Sequence, residues 1–168
     1  MCGIIGFTGN LQAPGILVDG LQQLEYRGYD SAGIAVNNGS ETKIVKTTGK
    51  VATLREKVEA TADLAGTCGI GHTRWATHGG VTEVNAHPHV SGNVTLIHNG
   101  IIENYKELAA SLKTKGFTAI SETDTEVAAM LIDSLYDGDP FAALKEADKA
   151  LEGAYGFCVM FKDHPGEI

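Results

Sequence analysis

The dipeptide Asn38-Gly39 separates two apolar-alternating runs, 32–37 and 42–48. Asn-Gly between such runs is a strong short-range hairpin signal, because the tight turns that match strand twist need positive φ. The early part of the chain is thereby committed to an antiparallel strand pair. Further strands are expected over residues 3–8, 67–73 and 93–98, and around Tyr155, Phe157, Val159 and Phe161, which alternate as a half-buried strand should. Helices are expected between them. Ile16, Leu17, Leu21 and Leu24 recur at helical spacing before Gly28; Val51, Leu54 and Val58 mark a second helix, and Tyr105, Leu108 and Leu112 a third. Thr123-x-x-Glu126 is a capping box opening a fourth over Val127, Leu131 and Leu135. Pro140 starts a fifth, with Phe141, Leu144 and Leu151 expected to face inward. No glycine-rich strand-to-helix loop of the nucleotide-binding kind occurs. The pattern therefore predicts an α+β architecture of antiparallel sheets covered by helices.

At 168 residues the chain suits one domain with a sizeable core. Its formal charge of −8, with scattered basic residues, argues against nucleic acid or an anionic membrane as partner. Cys2, Cys68 and Cys158 are too few and too far apart for a disulfide framework or a Cys-x-x-Cys site, which fits the reducing cytoplasm. No secretory signal or membrane-length apolar run is visible. Gly166-Glu167-Ile168 follows a hairpin-like turn and reads as an interrupted strand, so the expectation is one C-terminally incomplete domain over residues 1–168.

Cys2 carries the sharpest chemical suggestion. Once Met1 is removed, it presents a thiol beside a free α-amine whose ordinary pKa, about 7.7–8.0, suits a general base near neutral pH. The thiolate is the nucleophile, so such a cysteine needs no histidine partner. Four polar segments accompany it: Cys2-Gly3; His72 to Gly79; His98-Asn99-Gly100; and Asp124 at a helix mouth. Taken singly, Arg74 suits a surface ion pair, Asn99-Gly100 a turn and Asp124 a helix cap. His87-Pro88-His89 lacks a carboxylate or cysteine at ligand spacing, so no metal and no other cofactor is expected. Taken together, the segments offer what acyl transfer from an amino-acid amide requires. Asn99 and the Gly100 N–H can hold an oxyanion, Arg74 can clamp an α-carboxylate, and Asp124 can receive an α-ammonium.

The opening CGIIGF, with LEYRGYDSAG (24–33), HTRWATHG (72–79), NAHPH (85–89), HNGIIENY (98–105) and SETDTEV (121–127), resembles the class II glutamine amidotransferases, which are N-terminal-nucleophile hydrolases. Within that class the strings are similar to the glucosamine-6-phosphate synthase branch, the isomerizing glutamine–fructose-6-phosphate aminotransferases. The resemblance implies a four-layer αββα sandwich of two antiparallel sheets between helices. It implies L-glutamine as substrate, with Cys2 as nucleophile, Asn99 and Gly100 as oxyanion hole, Arg74 on the α-carboxylate and Asp124 on the α-amine. Trp75, Thr77 and His78 would lie in a loop closing over glutamine, and Arg27 would brace the cysteine. It further implies sugar isomerase domains beyond this chain, homo-oligomers at full length, and ammonia delivered to fructose 6-phosphate. Two other readings stay open at this point: a catalytically inactive glutamine-binding or scaffold module, and an amidase for another amide.

Overall fold

The hairpin forms where its turn signal stands. In the computed structural model, which describes every residue except Met1, Tyr29 and Thr77, β2 (Ser31–Asn37) pairs antiparallel with β3 (Thr42–Thr48). The connection is four residues long, not two, because Asn37 pairs with Thr42. Asn38 accounts for the extra length: its side-chain oxygen accepts from the Ser40 and Glu41 N–H groups at 2.9 and 3.0 Å, and Gly39 supplies φ 95°.

β1 (Gly3–Thr8) and β4 (Cys68–Arg74) complete a four-stranded antiparallel sheet in the order β1-β4-β2-β3. A second sheet runs β5 (His89–Ser91), β6 (Val94–Ile102), β7 (Gly153–Phe161), again antiparallel. α1 (Ala13–Leu24), followed by a 3₁₀ turn (Glu25–Arg27), and α2 (Val51–Ala60) cover the first sheet. α3 (Tyr105–Thr114), α4 (Asp124–Leu135) and α5 (Pro140–Ala150) cover the second. The layers are therefore α, β, β, α.

Side-chain alternation divides each strand between two cores. On β2, Ile34 and Val36 join Leu17, Leu21 and Leu54 beneath α1 and α2, while Ala35 faces the other sheet. On β6, Leu96 and Ile102 pack with Ile132 and Leu112 under the second helical layer, and Ile97 points between the sheets. Cys68, Ile70 and Met160 meet it there. Both faces of β6 are thus buried along its first half.

Four details depart from the sequence reading. Ile16 is only half-buried, and Val18 takes its place in the core beside Leu17 and Leu21. β5 forms between the strands expected over 67–73 and 93–98, where the sequence pattern predicts none. β6 does not stop at His98 but continues through Asn99-Gly100 to Ile102, since Gly100 stays in the ladder at φ 135°. Phe141 is 77% exposed, because α5 packs through Ala143 and Ala147 and its first turn overhangs the β7 side.

Candidate active site

Strand pairing and one glycine place Cys2. β1 lies against β4 with Gly3 opposite Thr73, and the Gly3 N–H donates to Thr73 Oγ1 at 3.1 Å. A Cβ on Gly3 would stand 2.6 Å from that oxygen and 2.8 Å from Leu24 Cβ, so only glycine lets the strands close here. One residue earlier, Cys2 Sγ accepts the Trp75 N–H at 3.4 Å and lies 3.7 Å from the Trp75 carbonyl. Burial pushes the Cys2 thiol above its ordinary pKa, and the Trp75 backbone hydrogen bond offsets part of that.

The turn after β4 is organised by Asp30. Its N–H donates to the Arg74 carbonyl at 3.2 Å, and its carboxylate accepts from the Ala76 N–H and, at 2.8 Å, from Ser31 Oγ. Sequence reasoning did not single out Asp30; its place inside the string LEYRGYDSAG was the available signal. Arg74 is 4% exposed. Its guanidinium donates to the carbonyls of Gly80 at 3.1 Å, Gly79 at 3.4 Å and His78, and lies 3.9 Å from Asp30. Asn85 and Glu122 hold the same loop from the other side, through Asn85 Nδ2 on the Gly80 carbonyl at 3.0 Å and the Gly80 N–H on Glu122 at 3.1 Å. The Asn85 amide and that N–H keep the Glu122 carboxyl below its usual range.

β6 supplies the opposite wall. The N–H of His98 donates to His87 Nδ1 at 3.4 Å, and that of Ile102 to Asp124 Oδ2 at 3.0 Å. Neither is used in the ladder to β7. N–H groups of alternate residues on a strand point the same way, so the Gly100 N–H lies between these two on the same edge, directed off the ladder. Asn99 alternates with His98 and shares the face of Ile97, toward the sheet that carries Cys2. A side chain at Gly100 would run into the Ala154 carbonyl and stand 2.7 Å from Tyr155 Cα.

Asp124 opens α4 and is 4% exposed. Its Oδ1 is 3.9 Å from His78 Nδ1, and its Oδ2 is 3.9 Å from His98 Nδ1. His78 also meets the Tyr105 ring edge-on, with centroids 5.1 Å apart. Cys2, Arg74, Trp75, His78, Gly100 and Asp124 line one cleft of about 20 Å³, room for roughly one water. Arg27 closes the 3₁₀ turn, where its Nε donates to Tyr26 Oη at 3.1 Å. Thr77 lies outside the described residues. The capping box forms through the Glu126 N–H on Thr123, but the Glu126 carboxylate reaches the Ile120 and Ser121 N–H groups instead of the Thr123 N–H.

A larger cavity of about 460 Å³ lies between α5 and β7, against Pro140, Phe141, Leu144, Phe157 and Phe161. Its one thiol, Cys158, is pushed up to about 11 by burial. It offers apolar walls and no activated nucleophile, so size does not decide here, and the chemistry belongs to the small cleft. His87 and His98 also line that cleft, and His72 and His89 are buried beside them. Among the described residues no group of three or more His, Cys, Asp or Glu is arranged to hold a metal ion.

Comparison with known proteins identifies the family. A family model described as "Glutamine amidotransferase domain" matches residues 72–166. The chain is 54% identical over 166 residues to the glutamine–fructose-6-phosphate aminotransferase [isomerizing] of Thermus thermophilus, covering 98% of this chain and 27% of that protein. It is 50% identical to the enzyme of the same name from Caldanaerobacter subterraneus subsp. tengcongensis, covering 28% of it. The chain thus spans little more than a quarter of the length of these relatives. Among solved structures, the glutamine phosphoribosylpyrophosphate amidotransferase from B. subtilis superposes with TM-score 0.82 at 29% identity, over 96% of this chain and 35% of that one. A thiol at the head of β1, an N–H row on β6 and a family match over more than half the chain converge: this chain belongs to the glutamine amidotransferase domain family.

Proposed function

We propose that residues 1–168 form a glutaminase domain that hydrolyses L-glutamine to glutamate and ammonia through a γ-glutamyl thioester on Cys2. The observation that carries this reading is the off-ladder Gly100 N–H beside the inter-sheet face of Asn99, across the cleft from the Cys2 sulfur. After removal of Met1, the Cys2 α-amine takes the thiol proton. The thiolate forms a C–S bond to the side-chain carbonyl, and the Asn99 Nδ2–H and Gly100 N–H hold the resulting oxyanion. Collapse breaks the C–N bond, and the departing ammonia receives the proton held by the α-ammonium. Water then cleaves the thioester, releasing glutamate and the thiol.

Asp124 suits the substrate ammonium and Arg74 its carboxylate. Three loop carbonyls already face Arg74, so an incoming carboxylate competes with residues 78–80. The cleft must open at Trp75 and His78 to admit an amino acid. In the longer protein, sugar isomerase domains would take the ammonia to convert fructose 6-phosphate into glucosamine 6-phosphate, as the names of the relatives describe for those enzymes. Homo-oligomerisation and a cytoplasmic location belong to the same reading; the latter suits three free cysteines.

The test is intact-mass measurement followed by labelling with a glutamine-like diazo-ketone and peptide mapping. Expected are a chain lacking Met1 and one adduct, on Cys2. Retained methionine would remove the general base and favour a binding module instead, and an adduct on Cys68 or Cys158 would overturn the site.

A further inference from the structure

The buried histidines at the cleft constrain one another's protons. A neutral imidazole donates from one ring nitrogen and accepts at the other. His87 Nδ1 receives the His98 backbone N–H at 3.4 Å, so it is an acceptor and the His87 proton sits on Nε2. That Nε2–H faces Thr125 Oγ1 at 3.1 Å and donates to it. The Thr125 hydroxyl hydrogen then goes to His98 Nδ1, 3.0 Å away, which places the His98 proton on Nε2. The path closes on itself, from the His98 main chain through His87 and Thr125 to the His98 ring. His72 Nε2 donates to the His98 carbonyl at 2.9 Å and grips the same residue from β4.

The direction of this ring is forced. Running it backwards would put a proton on His87 Nδ1, against the His98 N–H. A His98 proton on Nδ1 would leave Thr125 accepting twice, with no partner for its own hydrogen. The ring also prevails over a local cost, because it puts the His98 proton on a buried Nε2 that meets no acceptor among the described residues.

We propose that Thr125 is a positioning residue whose hydroxyl closes a one-way hydrogen-bond ring around His98 and so holds Asn99 and Gly100 at the cleft. Asn99 and Gly100 are the next two residues along β6 from His98, and Thr125 follows Asp124 in the first turn of α4. The kinetic consequence rests on the glutaminase reading; the proton arrangement does not.

The experiment uses ¹⁵N-labelled chain and two-bond ¹H–¹⁵N correlation of the imidazoles at neutral pH. Expected are neutral Nε2–H tautomers for His72, His87 and His98. Thr125→Val, an isostere without the hydroxyl, should change the His98 Nδ1 resonance to that of a nitrogen without a donor. It should also lower glutamine kcat by roughly tenfold to a hundredfold with little change in KM, and Thr125→Ser should restore both. A wild-type His87 or His98 carrying its proton on Nδ1 would overturn the proposal, as would Thr125→Val with unchanged kcat or a Thr125→Ser variant as impaired as Thr125→Val. If Thr125→Val does not fold, the wild-type tautomers and the serine variant still decide. A chain inert toward glutamine would sink the glutaminase reading alone and leave the tautomers to settle the ring.

Discussion

The sulfur of Cys2 is clasped by the main chain of Trp75 on two sides, its N–H at 3.4 Å and its carbonyl at 3.7 Å. Backbone positions this thiol, so its placement depends on how closely β1 and β4 approach. Gly3→Ala should therefore damage activity out of proportion to stability. The added methyl meets Thr73 Oγ1 and Leu24 Cβ, an overpacking worth about 1–3 kcal/mol. Diazo-ketone labelling of Cys2 should slow at least tenfold while circular dichroism stays native; unchanged labelling would refute the clasp.

Asn99→Ala removes one proposed oxyanion donor and leaves the walls intact. Turnover should fall by ~10²–10³, with glutamine binding retained. Single-turnover kinetics with calorimetric binding separates the two quantities. Near-wild-type turnover would exclude Asn99 from the oxyanion hole.

Gly100→Ala should be worse than Asn99→Ala for the protein as a whole. Its φ of 135° disfavours an L side chain, and the Cβ is driven against the Ala154 carbonyl and Tyr155 Cα. A loss of about 1–3 kcal/mol or more is expected, read as a drop in urea midpoint, together with loss of activity.

Acid should destabilise the fold through its buried histidines. Burial lowers the pKa of His72 to about 3, holds His87 and His89 well below their ordinary range, and lowers that of His98. The unfolded chain takes up these protons near pH 6.5 while the folded chain does not. Stability is thus fully present above that pH and is lost as pH falls toward the folded values, by up to about 1.4 kcal/mol per pH unit for each histidine. Thermal melts from pH 7 to 5 should show a falling Tm, and a flat profile would contradict the neutral cluster.

Phe141→Ser should change stability by no more than about 0.5 kcal/mol, because that ring is in solvent. Leu151→Ala, at a buried position, should cost about 2–5 kcal/mol. Paired urea titrations provide the comparison.

Local chemistry made much of this molecule readable in advance. Asn38-Gly39, Thr123-x-x-Glu126 and Pro140 act within a few residues of themselves, so the hairpin and the starts of α4 and α5 stand where those signals lie. The polar segments also converge: Cys2, Arg74, Trp75, His78, Gly100 and Asp124 share one cleft. Asn99-Gly100 misled as a strand end because the turn propensity of the pair is overridden by the ladder to β7, which keeps Gly100 in the strand. Phe141 misled because helical spacing identifies a stripe but not which stripe the sheet will take. Asp30 and Glu122 escaped notice since each acts on a loop 42 to 46 residues away in the chain, a distance no periodicity encodes, and Asn85 because it works jointly with Glu122, 37 residues on. The interlocked histidines were hidden for the same reason.

β6 carries Gly100 and, two residues on, the Ile102 N–H that grips Asp124. Under the proposed roles, the point of attack and the seat of the substrate amine are fixed to a single strand with a rise of about 3.3 Å per residue. Such a strand is a ruler. It measures the span from α-amine to side-chain amide, and asparagine, one methylene shorter, cannot reach both marks at once.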